Sequence, residues 1–187
     1  MKTIFIALMD RLSGYLADNN LDVDNIDNGS NIYSLFQLNI QELVKNSDSS
    51  EIKNTLNLYS AFLQFTLKCY PTKHKYVNEI LKDAANYCAK NEAAIDEDCQ
   101  IYISKFLINP LNTLGNFILT MEEYPALFKY LRFKKRRDVA KQITKAVVKG
   151  SIQINDESII KELLIFINPV LEKEPDYENV TDAVFKE

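Results

Sequence analysis

A single histidine, His74, bounds the chemistry open to this chain. A Ser-His-Asp or Cys-His nucleophilic site, or a histidine-rich metal site, must be built around that one ring or not exist. Cys69, Cys88 and Cys99 lie 19 and 11 positions apart and, with His74, could be imagined as four zinc ligands. The spacing argues against it. There is no C-x-x-C pair, Cys69 and His74 flank Pro71, and Cys88 falls on an apolar stripe where a free thiol is usually inert. Asp22-Val23-Asp24-Asn25-Ile26-Asp27 begins like a calcium loop. It fails at Ile26, at Asp27 where glycine makes the sharp turn, and at Tyr33 where the closing glutamate belongs. No glycine-rich phosphate loop or G-x-S-x-G elbow occurs, so the sequence predicts no catalytic residue, no metal and no cofactor.

One local feature does stand out. Residues 129–149 hold nine of the chain's 22 basic residues against the single acid Asp138. Lys134, Arg137, Lys141 and Lys145 fall at helical spacing, opposite Val139, Ile143, Ala146 and Val147. Two readings stand side by side. The stripe is a solvated outer face balanced by neighbouring acids, or it is a contact for anionic lipid or an acidic partner. Nucleic acid fits less well, because no aromatic interleaves the stripe for base stacking.

These residues must be positioned by helices. In a chain of 187 residues with 47% apolar side chains, four glycines and five prolines leave little material for turns, so long helices joined by short loops are expected. Apolar side chains recur at i, i+3, i+4 and i+7, which predicts about nine helices. The first covers about Lys2 to Ala17, with Phe5, Leu8, Met9, Leu12, Tyr15 and Leu16 inward; the second covers Asn31 to Lys45, with Ile32, Leu35, Phe36, Ile40 and Leu43 inward. A third, apolar almost all round, starts near Glu51 behind the cap Ser47-Asp48-Ser49-Ser50 and stops at Pro71. A fourth follows a Thr72 cap, and a fifth spans Asp96 to Asn109. Pro110, Pro125, Lys134 and Asn155 or Asp156 are read as opening the remaining four, with Gly150 ending the eighth. No alternating stretch of strand type appears, and no sheet is expected.

Hairpins that start near residues 2, 49 and 96 repeat every 47 or so positions, at the long edge of the period of HEAT and armadillo arrays. The fold class expected is therefore all-α, an α-solenoid of antiparallel helical hairpins, with a closed bundle as the alternative. Residues 1–173 form the helical-repeat segment. Residues 174–187, where acids dominate and Pro175 breaks any helix, are expected to be an acidic, disordered linker. The odd cysteine count and the lack of 18 consecutive uncharged apolar residues point to a cytoplasmic protein, and the mild net charge of −4 argues against a dedicated nucleic-acid binder.

Several short stretches carry a resemblance. Leu67-Lys68-Cys69-Tyr70-Pro71, Tyr76-Val77, Ile80-Leu81, Asn109-Pro110 with Asn112-Thr113, Ile118-Leu119-Thr120 and Leu127-Phe128-Lys129-Tyr130-Leu131 follow one another in a single register. Upstream stands Leu8-Met9-Asp10-Arg11-Leu12, and downstream Glu174-Pro175-Asp176. Together they resemble the middle of the large α-solenoid subunit of retromer, the vacuolar protein sorting-associated protein 35 family. The resemblance implies a non-enzymatic scaffold segment of an endosomal coat, peripherally attached to endosomes. Its arrestin-like and metallophosphoesterase-like partner subunits would bind parts of a parent chain outside this stretch, leaving the segment itself monomeric. The alternative is a free-standing helical-repeat module that binds acidic or phosphorylated peptides through Lys134, Arg137, Lys141 and Lys145.

Overall fold

The computed structural model describes residues 1–19, 21, 30–114, 116–129, 137–148, 150–154, 156–161 and 163, and within them helix follows helix. Helix α1 spans Lys2–Asp18 and α2 spans Ser30–Lys45. Asp48 Oδ1 then accepts the Ser50 N–H at 2.9 Å, a side-chain cap on the 3-10 turn Ser49–Glu51 that leads into α3, Ile52–Cys69. Helix α4 spans His74–Lys90. It starts without any side-chain cap, so the expected Thr72 cap is not made; Lys73 holds the position before the first turn.

Helix α5 spans Cys99–Thr113 and contains Pro110, which was expected to open a new helix. The ring removes only the bond that residue 110 would donate to the Phe106 carbonyl, and the helix ends three residues later. Leu114 N–H closes that last turn on the Pro110 carbonyl at 2.8 Å, and Pro110 itself is buried. No helix runs on from here towards Met121. The chain instead becomes extended at β1, Leu119–Thr120, before the short α6, Pro125–Lys129. Helix α7 spans Arg137–Val148 and is followed by β2, Ile152–Gln153.

Gly150 ends α7 in the left-handed region, at φ 72°. Its N–H bonds the Val147 carbonyl at 2.9 Å, and Ser151 N–H bonds the Ala146 carbonyl at 2.8 Å. That pair of bonds is the Schellman closure, which glycine adopts without the Cβ penalty. Asp156 Oδ1 accepts the N–H groups of Ser158 at 2.8 Å and Ile159 at 3.3 Å, capping a helical turn at residues 157–161 as the sequence reading anticipated.

Two layers result. Helix α1 packs on α3, α3 on α5 and α5 on α7, while α6 packs on α4 in the second layer. The middle helix α3 also packs on α2 and α4. It is consequently buried almost all round, with Leu56, Leu58 and Leu63 fully enclosed. This is the fold expected of stacked helical hairpins. Among the described residues, the first-layer helices begin at residues 2, 52, 99 and 137.

The sheet that was not expected is a two-residue parallel pair, Leu119 opposite Ile152 and Thr120 opposite Gln153. Both strands are links between the first and second layers, in consecutive repeats. Leu119 and Ile152 are enclosed, and buried backbone must find partners. Leu119 N–H bonds the Ser151 carbonyl and Met121 N–H the Gln153 carbonyl, both at 2.9 Å. Two-residue strands leave too short an alternation to be read from sequence.

Candidate functional site

The four imagined metal ligands are not gathered into one site. His74 opens α4, and its ring meets Phe117 edge-on at 5.6 Å. Cys69 lies at the end of α3, Cys88 near the end of α4 and Cys99 at the start of α5, all buried free thiols. Burial pushes the Cys88 thiol up to about 12 and the Cys69 thiol up to about 11, away from the thiolate a metal or a nucleophile needs. Among the described residues no three metal-ligating side chains converge. The calcium-like run 22–27 lies outside the described residues.

Acids at the helix starts work as caps and ties. Asp96 Oδ1 accepts the Cys99 N–H at 3.1 Å. Lys53 at the start of α3 sits 3.0 Å from Asp96 and 2.7 Å from Asp98. Lys2 at the start of α1 makes the matching contact with Glu51. The same tie thus joins the first turn of one first-layer helix to the cap of the next, twice along the array. In the second layer Tyr33 of α2 stacks on Tyr76 of α4, with ring centroids 3.8 Å apart, and its hydroxyl donates to Glu79 at 3.1 Å. Gln41 donates to Asp83 at 3.1 Å, and Asn78 of α4 accepts the hydroxyl of Tyr124 at 3.2 Å. The partners that join one repeat to the next stand 42 to 49 residues apart in sequence.

A repeat at residue level runs beneath this ladder, and sequence reading missed it. Lys45-Asn46 ends α2 and Lys90-Asn91 ends α4. Each asparagine turns its side chain back onto the carbonyl four residues earlier, Asn46 onto Glu42 at 3.0 Å and Asn91 onto Tyr87 at 2.9 Å. Two shared residues are too few to notice until the structure shows that they do the same job.

The basic stripe is placed only in part. Lys134 lies outside the described residues, and for Arg137 and Lys141 the description extends to their position in α7 and not to their side chains. Lys145 is exposed, while Ala140, Ile143 and Ala146 on the same helix are buried, so α7 is amphipathic in the sense expected. Lys145 borders a small groove of about 160 Å³ with Asn112 and Gln142, between α5 and α7.

Three apolar assignments in the first repeat differ. Leu8 and Tyr15 of α1, read as inward, are 51% and 60% exposed, and Leu35 of α2 is 63% exposed. Met9 and Leu16 of α1 and Phe36 and Ile40 of α2 fill the core as expected, and Tyr33, not read as inward, joins them. Counted from the start of each helix, Leu8 and Tyr15 correspond to Leu58 and Phe65 of α3, which are enclosed. The first helix of the described array shows bare the positions that a following helix has covered.

These features are those of a helical repeat array, and comparison with known proteins says which family it belongs to. A profile of the vacuolar protein sorting-associated protein 35 family matches residues 1–187. The chain belongs to that family.

Among its relatives are a vacuolar protein sorting-associated protein 35 of Dictyostelium discoideum, 29% identical over 93% of this chain, and the Arabidopsis thaliana protein 35A, 23% identical over 99%. A Schizosaccharomyces pombe protein of the same name is 21% identical over 72%. The chain spans 22%, 24% and 17% of the lengths of these three relatives. No solved structure matches it. Among the described residues of this family member, no helix is long and apolar enough to cross a membrane.

Proposed function

We propose that this chain is a non-enzymatic scaffold segment of the retromer coat, acting in endosomal cargo retrieval and intracellular protein transport. Family membership supports the sorting role. The observation that carries the scaffold role is the repeated tie between successive repeats, Lys2 to Glu51 and Lys53 to Asp96 and Asp98 in one layer, Tyr33 to Tyr76 and Glu79 in the other. A stack fixed in both layers holds its two ends at a set distance, which a coat component requires. The arrestin-like and metallophosphoesterase-like subunits are its partners, contacted through regions other than the described array. The segment works on the cytoplasmic face of endosomes, attached through its complex and not through lipid-spanning helices.

Deleting the native gene and following a retrieved sorting receptor by microscopy tests this. The reading expects the receptor to be lost from the Golgi and to accumulate in endosomes or at the cell surface. Unchanged receptor distribution in the deleted cells would refute it.

A further inference from the structure

Helices α2 and α4 are tied by side chains and leave a groove beside their C-terminal ends. Tyr33 stacks on Tyr76 near their starts, and Gln41 bonds Asp83 midway. Past that bond the helices leave a groove of about 510 Å³, within the range of sites that hold small ligands or short peptide stretches. Its floor is Tyr59 of α3 and Tyr87 of α4, whose ring centroids lie 6.2 Å apart. Tyr87 is 6% exposed, and its hydroxyl neighbours that of Thr55 of α3. Lys45 on one wall and Lys90 on the other line the groove, both exposed.

The charge on these walls is unbalanced. Lys2, Lys53 and Lys129 each hold an acid, at Glu51, at Asp96 and Asp98, and at Glu92. Among the described residues, Lys45 and Lys90 hold none. Asp83, the acid lining the groove, sits at the closed end and accepts from Gln41. Placement at helix C-termini explains why a lysine ends each helix. It does not explain an aromatic-floored gap held open between them.

We propose that this groove binds a short acidic peptide segment of a partner protein, one apolar side chain lying on Tyr59 and Tyr87 and carboxylates reaching Lys45 and Lys90. The site is separate from the basic stripe and stands independently of the scaffold role. Charged rims set specificity and encounter, and the apolar anchor sets residence.

Selection of a random dodecapeptide phage library on the full chain, followed by anisotropy with the enriched peptides, tests it. The expected consensus pairs an apolar residue with two or more Asp or Glu within four positions. Binding should weaken at least 10-fold in Lys45→Glu/Lys90→Glu and also when the peptide acids become Asn or Gln, at unchanged helicity. Charge reversal of Lys134, Arg137, Lys141 and Lys145 should leave it unchanged. Selection without an acidic-apolar consensus overturns the proposal, as do enriched peptides that bind the Lys45/Lys90 variant equally well.

Discussion

The hydroxyl of Tyr33 reaches from α2 to α4, donating to Glu79 Oε2 and lying 3.1 Å from both that oxygen and the Tyr76 carbonyl, while its ring lies on Tyr76 at an interplanar angle of 9°. Phe62 of α3 covers the ring's other neighbourhood at 5.3 Å. Three helices from two repeats therefore meet at one side chain, and burial together with the Glu79 charge pushes its phenol well above the usual range.

Removing only the hydroxyl, in Tyr33→Phe, should destabilise by about 1–3 kcal/mol, because Glu79 loses a donor in a half-buried setting. Tyr33→Ala should cost about 3–5 kcal/mol, since a cavity then opens between the repeats. Urea unfolding followed by circular dichroism measures both, and equal small losses would show that the stack does not hold the layers together.

Asp96 makes a pH-dependent prediction. Its carboxyl is lowered to about 2, first by Lys53 and then by the hydrogen bonds of Cys99. A depressed carboxyl contributes stability above the ordinary carboxylate range and loses it as pH falls towards its folded value. The tie between α3 and α5 should accordingly weaken between about pH 4 and pH 2. Thermal melts of wild type and Asp96→Asn should differ at pH 5 and converge by pH 2; parallel curves would contradict this. The group is fully exposed, so the effect is modest and shrinks with added salt.

Much of this fold was legible because α4 carries an unambiguous apolar period and α3 a clear stop. Val77, Ile80, Leu81, Ala84 and Cys88 form a stripe that is fully buried, and Pro71 ends α3 within two residues of its last turn. Where two adjacent apolar residues compete, as Leu35 and Phe36 do, period alone cannot choose, and the aromatic cluster around Phe62 decides for Phe36. Tyr33 reads as polar or apolar, and only its hydroxyl's partners, some 45 residues away, make it core. Pro110 misled because a proline three residues before a helix end resembles one just inside a helix start. The groove between Lys45 and Lys90 depends on how α2, α3 and α4 pack together, which no local pattern encodes.

Gly150 offers a cleaner test of local geometry. A Cβ there would meet nothing within 4 Å, so Gly150→Ala introduces conformational strain without a clash. At φ 72° the left-handed penalty is about 1–2 kcal/mol. Gly150→Asn should lose less than Gly150→Ala, as asparagine tolerates that region better. Equal stabilities across all three proteins would show that the Schellman closure of α7 does not form.

The basic stripe is expected to be a solvated face. Wild type and the Lys134→Glu, Arg137→Glu, Lys141→Glu, Lys145→Glu protein should float equally poorly with phosphoinositide liposomes at low salt. Four contacts of about 1 kcal/mol each would be weak in any case. Strong flotation of the wild type, lost on charge reversal and at high salt, would make the stripe a membrane contact.

The central claim is membership of a sorting coat as its scaffold, and the composition of the native complex tests it most directly. The endogenous protein should be tagged, isolated at physiological salt and quantified by mass spectrometry against its co-purifying partners. The account predicts an arrestin-like and a metallophosphoesterase-like subunit, each in near one-to-one ratio with the tagged chain. Recovery of the tagged protein with neither subunit would contradict it.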